Sequence, residues 1–363
     1  AVAVAENTAR ANIASGAIVT AGDNITVSAQ QTGTTASEAR AAGAGGLAII
    51  PLAAVTVARN NASATIDAGV GAVQSTGAMN VTSTQTVSST AVGNGLAEAS
   101  GQDNKVAIGM SAGLVIGFDN NSASLGRSVT AGGLSVLADT SHTAQSGAQS
   151  SAQVVEPEAV ENVPATDNAS NSSTDDAVNG MMGMGNGFSG KTVNVNVVTD
   201  RLSTDTKNVT GGDTPLGGGG NSDDSTKVAV AGAFGVTYVE SAASAEIGNN
   251  VTVAAGTNAI NIASRKNTDI TATGDASVAG GDYNIGGGLG LNIATASNNA
   301  RVGSGASLVA GDLAVDAKML SQLAADNSTD VTNTITSSAT SGAGTGEVAV
   351  AGALALNVVI QND

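Results

Sequence analysis

The chain has 363 residues but only two Tyr, three Phe and no Trp, which excludes a core of ordinary globular make-up and leaves one that is thin and built from small side chains. A net charge of −17, from thirteen basic and thirty acidic residues, repels nucleic-acid phosphates and anionic lipid headgroups, so binding to either is not expected. The absence of Cys excludes a disulfide framework, a thiolate metal site and c-type haem attachment.

Forty-eight Gly with four Pro, together with abundant Thr, Ser, Asn and Val, is a strand-and-turn composition. It is not a disordered one, since only 12% of residues are charged and the apolar ones recur in order. The first ten residues, AVAVAENTAR, carry neither the basic start nor the cleavage site of a signal peptide. The densest apolar runs, 47–58 and 348–360, are shorter than the roughly 20 residues of a membrane-spanning helix.

Five segments align without gaps: VAENTARANI (4–13), VARNNASATI (57–66), IGFDNNSASL (116–125), YVESAASAEI (238–247) and IATASNNARV (293–302). A sixth, VVIQND, starts at residue 358. The second to sixth follow small-residue apolar runs such as VAIGMSAGLV, VAVAGAFGVT and VAVAGALALN, which predict one strand type. The five complete anchors are followed by a turn and a short strand, as in DNITVSA (23–29), GGLSVLA (132–138) and GDLAVDA (311–317). A Thr/Ser-rich strand comes last, as in TSTQTVSST (82–90) and TDVTNTITSSAT (329–340), where Thr332, Thr334 and Thr336 predict an outward ladder on a solvated face.

The anchors are spaced by 53, 59, 122, 55 and 65 residues, so the long gap predicts a divergent unit, assigned to 191–210 (KTVNVNVVTDRL and the residues after it). No unit holds enough large apolar side chains to stand alone, and corresponding strands of successive units are alike. The prediction is an all-β, right-handed parallel β-solenoid of about seven repeats of 53–65 residues, with one wide coil per repeat stacking like on like. Its expected parts are solenoid repeats over 1–153, an acidic and Gly-rich inserted loop over 154–190, the divergent repeat over 191–210, a flexible Gly-rich loop over 211–227, and further repeats over 228–363 that stop mid-repeat. The insertions are expected to lie outside the stack.

The recurring unit, VAVAGALALNVV, then ND, then ASAEIGNNVTVAAG, then a Thr-rich strand, resembles the repeat regions of giant bacterial surface adhesins of the filamentous-haemagglutinin, leukotoxin-like and autotransporter-passenger type. The resemblance implies a right-handed solenoid exported to the cell surface. It covers nearly the whole chain apart from the insertions, and it names no ligand.

Candidate chemistry is sparse. GNGFSGKT (185–192, with Lys191) matches the phosphate-binding GxxxxGK[ST] pattern, but a β-pattern follows where a helix is needed, so a glycine-rich loop entering a strand is expected. His142 is the only histidine and sits among Asp139, Thr140, Ser141 and Thr143; it reads as a solvated strand residue and not as a triad base. Glu156, Glu158, Glu161, Asp175, Asp176, Asp223 and Asp224 offer oxygen ligands for calcium, as do turns such as Asp119-Asn120-Asn121, although the calcium nonapeptide is absent. Carboxylate pairs also serve glycosidic hydrolysis, but the aromatic platforms of such clefts are missing. Irregular Thr spacing argues against ice binding.

No catalytic or cofactor-binding residue is therefore assigned, calcium is the one cofactor considered, and the chain is not expected to be an enzyme. The expected function is the structural shaft of a large secreted or cell-surface adhesin, as a fragment of a longer chain. The alternative is a subunit of a self-assembling extracellular filament or matrix. Expected partners are continuing coils of the same chain, host-cell, other-cell or matrix surfaces, or further copies.

Overall fold

The computed structural model describes residues 1–100, 105–155, 226–321 and 331–362. The first coil runs through strands β1 (Val2–Ile13), β2 (Val19–Ala21) and β3 (Ile25–Gly45), and the second through β4 (Leu47–Ile66), β5 (Val73–Ser75) and β6 (Met79–Ser100). β7 (Lys105–Leu125), β8 (Val129–Thr130) and β9 (Leu134–Val155) make the third, and β10 (Lys227–Ile247), β11 (Thr252–Ala254) and β12 (Ala259–Ala279) the fourth. The fifth holds β13 (Tyr283–Val302), β14 (Ser307–Val309), β15 (Asp312–Lys318), β16 (Leu320–Ser321), β17 (Val331–Thr332) and β18 (Ile335–Ala343), and β19 (Val348–Asn362) opens a sixth.

Like strands stack on like. A front sheet has the order β1-β4-β7-β10-β13-β19, a narrow sheet β2-β5-β8-β11-β14, and a back sheet β3-β6-β9-β12, with β15 and β18 both pairing β12. Every pairing is parallel except the short β16–β17 contact, and no helix occurs among the described residues. The chain is a parallel β-solenoid with one wide coil per repeat. The gap-free anchors are the reason: Glu6-Asn7 lies on Arg59-Asn60, then on Phe118-Asp119 and Glu240-Ser241, with no slip. A slip of one residue would turn every side chain of a strand to the other face.

Unequal repeat lengths are absorbed away from the paired strands. β7 pairs with β10 from Lys105↔Lys227 to Leu125↔Ile247, and β9 pairs directly with β12. No coil lies between them, so the front sheet has six layers, not seven; the 191–210 segment expected as the missing unit lies outside the described residues. Most of both expected insertions lies outside them too, but their inner limits shift. β9 runs to Val155, with Val154 buried in the core, and β10 begins at Lys227. The longer spacing of the last repeat has a similar origin, because β12 pairs β15 along 259–265 and β18 along 270–278, with β16 and β17 in the intervening excursion.

The interior is graded. Where the narrow sheet holds the two long sheets apart, Ile66, Leu125, Ile247, Met79, Leu134 and Ile260 fill the wedge. Farther along the strands the inward positions become Ala48, Ala107, Ala229, Ala97, Ala152 and Ala276. Gly93, Gly113, Gly235 and Gly290 let the two backbones touch there: a Cβ on Gly93 would sit 2.7 Å from Ala112 O, and one on Gly235 would sit 2.7 Å from the Thr273 carbonyl carbon. The closing corner also uses glycine. Gly280 has φ of 79°, and a side chain there would strike the Val154 carbonyl. The thin small-residue core read from composition is found in this half of the coil.

The outer back face is polar, as the Thr-rich strands predict, with Thr271↔Thr336 and Thr273↔Ser338 in adjacent layers. Thr336 joins that face, Thr334 lies just before β18, and Thr332 belongs to the antiparallel β17. Asp275 stands between Gln149 and Thr340 in the same ladder, and burial holds its carboxyl above the ordinary 3.8 despite a hydrogen bond with Thr340. A raised folded-state pKa means that the contribution of Asp275 to stability is full below pH 3.8 and is lost as pH rises through the raised value. Asp275→Asn is therefore expected to melt at a higher temperature than the parent chain at pH 7, and at nearly the same temperature at pH 3. Melting curves across that range check it.

Candidate functional site

The residues singled out in the sequence fall in three places. The Gly-rich 185–192 segment and the carboxylates Glu156, Glu158, Glu161, Asp175, Asp176, Asp223 and Asp224 lie outside the described residues. Asp119-Asn120-Asn121 is not a turn. It sits within β7, because apolar alternation continues on both sides of it and carries the strand from Lys105 to Leu125. Among the described residues no group of three or more His, Asp or Glu side chains is placed to hold a metal ion.

His142 is not solvated: its side chain and that of Asp119 are completely excluded from water. The reason is register, since His142 occupies an inward position of the back sheet opposite Asp119 of the front sheet. Its Nδ1 donates to Asp119 Oδ2. A Cβ on Gly117 would lie 2.6 Å from His142 Cε1, so this glycine makes room for the ring. Asp119 Oδ1 accepts from Asn60 Nδ2 at 2.9 Å, Asn60 Oδ1 accepts from Asn7 Nδ2 and Gln31 Nε2 at 3.0 Å, and Gln31 Oε1 accepts from Gln85 Nε2 at 2.9 Å. A polar thread thus runs through three coils inside the apolar sandwich, each layer hydrogen-bonded to the next. Farther along the stack, Asn298 Nδ2 donates to Ser264 O at 3.1 Å, and the fully buried Lys266 donates to Ser241 O. The triad chemistry set aside for His142 gains no support, because its carboxylate partner serves the stacking thread.

Arg127 was not singled out by sequence reasoning. It lies in the third coil at the start of the narrow sheet, 3% exposed, and its guanidinium donates to Asp67 O at 2.7 Å, Ala17 O at 3.0 Å, Ile13 O at 3.1 Å, Gly71 O at 3.2 Å and Ala14 O. Those carbonyls belong to the turns of the first two coils. One planar fork therefore ties together the turns of two coils, adding a hydrogen bond to Ile13 O and Ala14 O, which also accept from Asp67 N and Ala17 N, and reaching Ala17 O, Asp67 O and Gly71 O. A single Arg in a turn of varying length gives no periodic signal.

A further surface feature among the described residues is the outer face of the front sheet. Because the thin half of the sandwich admits mostly small side chains inward, with Ile50 and Leu52 of β4 the larger exceptions, most of the large ones of the same strands face outward. Layer by layer they form rows, among them Ile49-Ile108-Val230-Ile285-Val350, Val55-Leu114-Val236-Leu291-Leu356 and Val57-Ile116-Tyr238-Ile293-Val358. Between them runs a glycine row, Gly232-Gly287-Gly352, continued by Met110 and Pro51, and beside it a ridge of Phe234-Leu289-Leu354. A side chain on Gly287 or Gly352 would meet nothing within 4 Å and one on Gly232 would touch the Phe234 ring at 3.3 Å, so the glycines floor a furrow over the fourth to sixth layers, which Met110 and Pro51 close in the second and third. Ile49, Met110, Phe234 and Ile285 are among its exposed apolar residues.

Four of the five aromatic residues, Phe118, Phe234, Tyr238 and Tyr283, lie on this face. Phe118 and Tyr238 pack at 6.0 Å between ring centroids, and the Arg59 guanidinium lies 5.2 Å from the Phe118 centroid. The scarcity of aromatics in the sequence concealed this clustering. The signal was present in the alternation of strands such as VAVAGAFGVTY, where every second residue is Ala, Gly or Thr and the rest are mostly large.

Comparison with protein-family models, curated proteins and solved structures finds no match. The reading of the site therefore rests on the geometry. In the described residues that geometry combines a rigid stack with one flat apolar face and one polar face.

Proposed function

We propose that the chain is a structural module of a large secreted or cell-surface repeat protein of adhesin type, a stretch of shaft that gives reach and stiffness. The observation that carries this reading is the unbroken register of the front sheet through six layers, with β7 pairing β10 directly across the long gap between anchors. The buried polar groups support it, since the thread from Asn7 to His142 and the Arg127 fork are spent on joining layers. Solenoids of this kind gain stability from each neighbour interface and lengthen by duplication. The acid excess keeps such a rod soluble. In this reading the chain is not an enzyme and resides outside the cell.

Antibodies raised against the 363-residue chain test it. Intact cells of the source organism should label at the surface, with the signal lost after external protease treatment, and electron micrographs should place the epitope along a filament. Labelling only after lysis would overturn the reading. A second reading, self-association into an extracellular filament or matrix, is favoured by the exposed apolar face of the front sheet.

A further inference from the structure

We infer that the outer apolar face of the front sheet is the interface of a face-to-face dimer with a second copy of this chain. Six consecutive outward rows, from Leu47-Val106-Val228-Tyr283-Val348 to Val57-Ile116-Tyr238-Ile293-Val358, contain no charged residue. At about 3.3 Å per residue and 4.8 Å per strand the rectangle measures roughly 35 by 24 Å, or about 800 Å². That exceeds the ~300–600 Å² of the largest apolar patch on a typical monomer. Two such faces pressed together bury about 1,600 Å², the usual size of a stable interface.

The face is also complementary to itself. The furrow at Gly287 and the ridge at Leu289 are the third and fourth of the six rows, so they straddle its midline. A two-fold axis lying between the two copies, parallel to the stacking axis and set on that midline, places the ridge of each copy over the furrow of the other. It also pairs the second row with the fifth and the first with the sixth. This is an isologous contact that closes on itself, with two apolar sheets packed ~10 Å apart as in a sandwich.

Charge permits this partner. Beyond the apolar rows the same outer face carries Glu6, Glu240 and Glu246 against Arg10, Arg59 and Arg301, so it is neutral although the chain bears −17. Arg301 pairs with Glu246, and Arg59 rests on Phe118. A like-charged copy therefore approaches through its neutral face.

Sedimentation equilibrium of the 363-residue chain, from 1 to 100 μM and at low and high salt, tests the inference. The expected result is a dimer that tightens with salt as the acidic remainder is screened. Gly287→Phe fills the furrow at a position open enough to accept the ring, and Leu289→Asp puts a charge on the ridge; each is expected to weaken the dimer at least tenfold. Gly342→Phe, on the back sheet at a position equally open, should leave it unchanged. Circular dichroism and melting curves on all variants separate dissociation from unfolding. A monomeric parent chain overturns the inference. So does a dimer indifferent to Gly287→Phe, a dimer that forms only after deletion of 156–225, or a monomer that instead sediments with neutral phosphatidylcholine vesicles. Loss of the dimer with surface labelling intact would remove this inference and leave the shaft reading standing.

Discussion

Asp119→Ala is expected to destabilise the fold by ~2–5 kcal/mol, because it leaves two buried hydrogen-bond donors without an acceptor at ~1–3 kcal/mol each. The carboxylate accepts from His142 and from Asn60, and both donors stay buried when it is removed. The loss should spread to adjacent coils, because Asn60 in turn holds Asn7 and Gln31. Asp119→Ala/His142→Phe, which also removes the stranded imidazole and keeps a ring over Gly117, should recover part of the loss. Urea or thermal unfolding of the parent and both variants measures it. A cost below about 1 kcal/mol for Asp119→Ala would show that the thread does not join the layers.

Gly235→Ala and Gly287→Ala form a second test, in which the same substitution on neighbouring strands should have opposite results. The methyl on Gly235 would enter the back sheet, 2.7 Å from the Thr273 carbonyl carbon and 2.8 Å from its nitrogen. Two backbones would have to separate, so a loss of ~2–3 kcal/mol is expected, at the upper end of overpacking costs. The methyl on Gly287 meets nothing within 4 Å, and removing a glycine from a strand should leave stability unchanged or raise it by ~0.5 kcal/mol. Melting temperatures of the two variants against the parent decide this. Equal losses would mean that the sheets are not in backbone contact at Gly235.

The polar thread was hard to read in advance because a histidine flanked by Ser and Thr looks the same whether its face is wet or dry. Alternation assigns His142 to one face of its strand and Thr143 to the other, but both faces of the back sheet carry polar residues, so polarity does not say which is inside. The same ambiguity hid the front face. Alternating small and large residues mark two faces, and the ordinary expectation sends the large ones inward.

By itself the sequence determined the all-β class, the parallel stacking of like strands and one coil per repeat, because gap-free anchors allow one register and turn residues mark where strands end. It also determined the polar character of the outer back face, through Thr and Ser at alternate positions. Only the tertiary structure decided that Lys105 pairs Lys227 directly across the long gap, that Asp119 meets His142 and that Arg127 serves turns of two other coils. It also decided that most large side chains in the first half of each front strand face outward, while Ile66, Leu125 and Ile247 at the far ends face inward. The separation of the two long sheets is the physical reason for this last result. That distance is set by glycines in one sheet meeting carbonyls of the other, and such a contact joins residues far apart in the chain and leaves no local pattern.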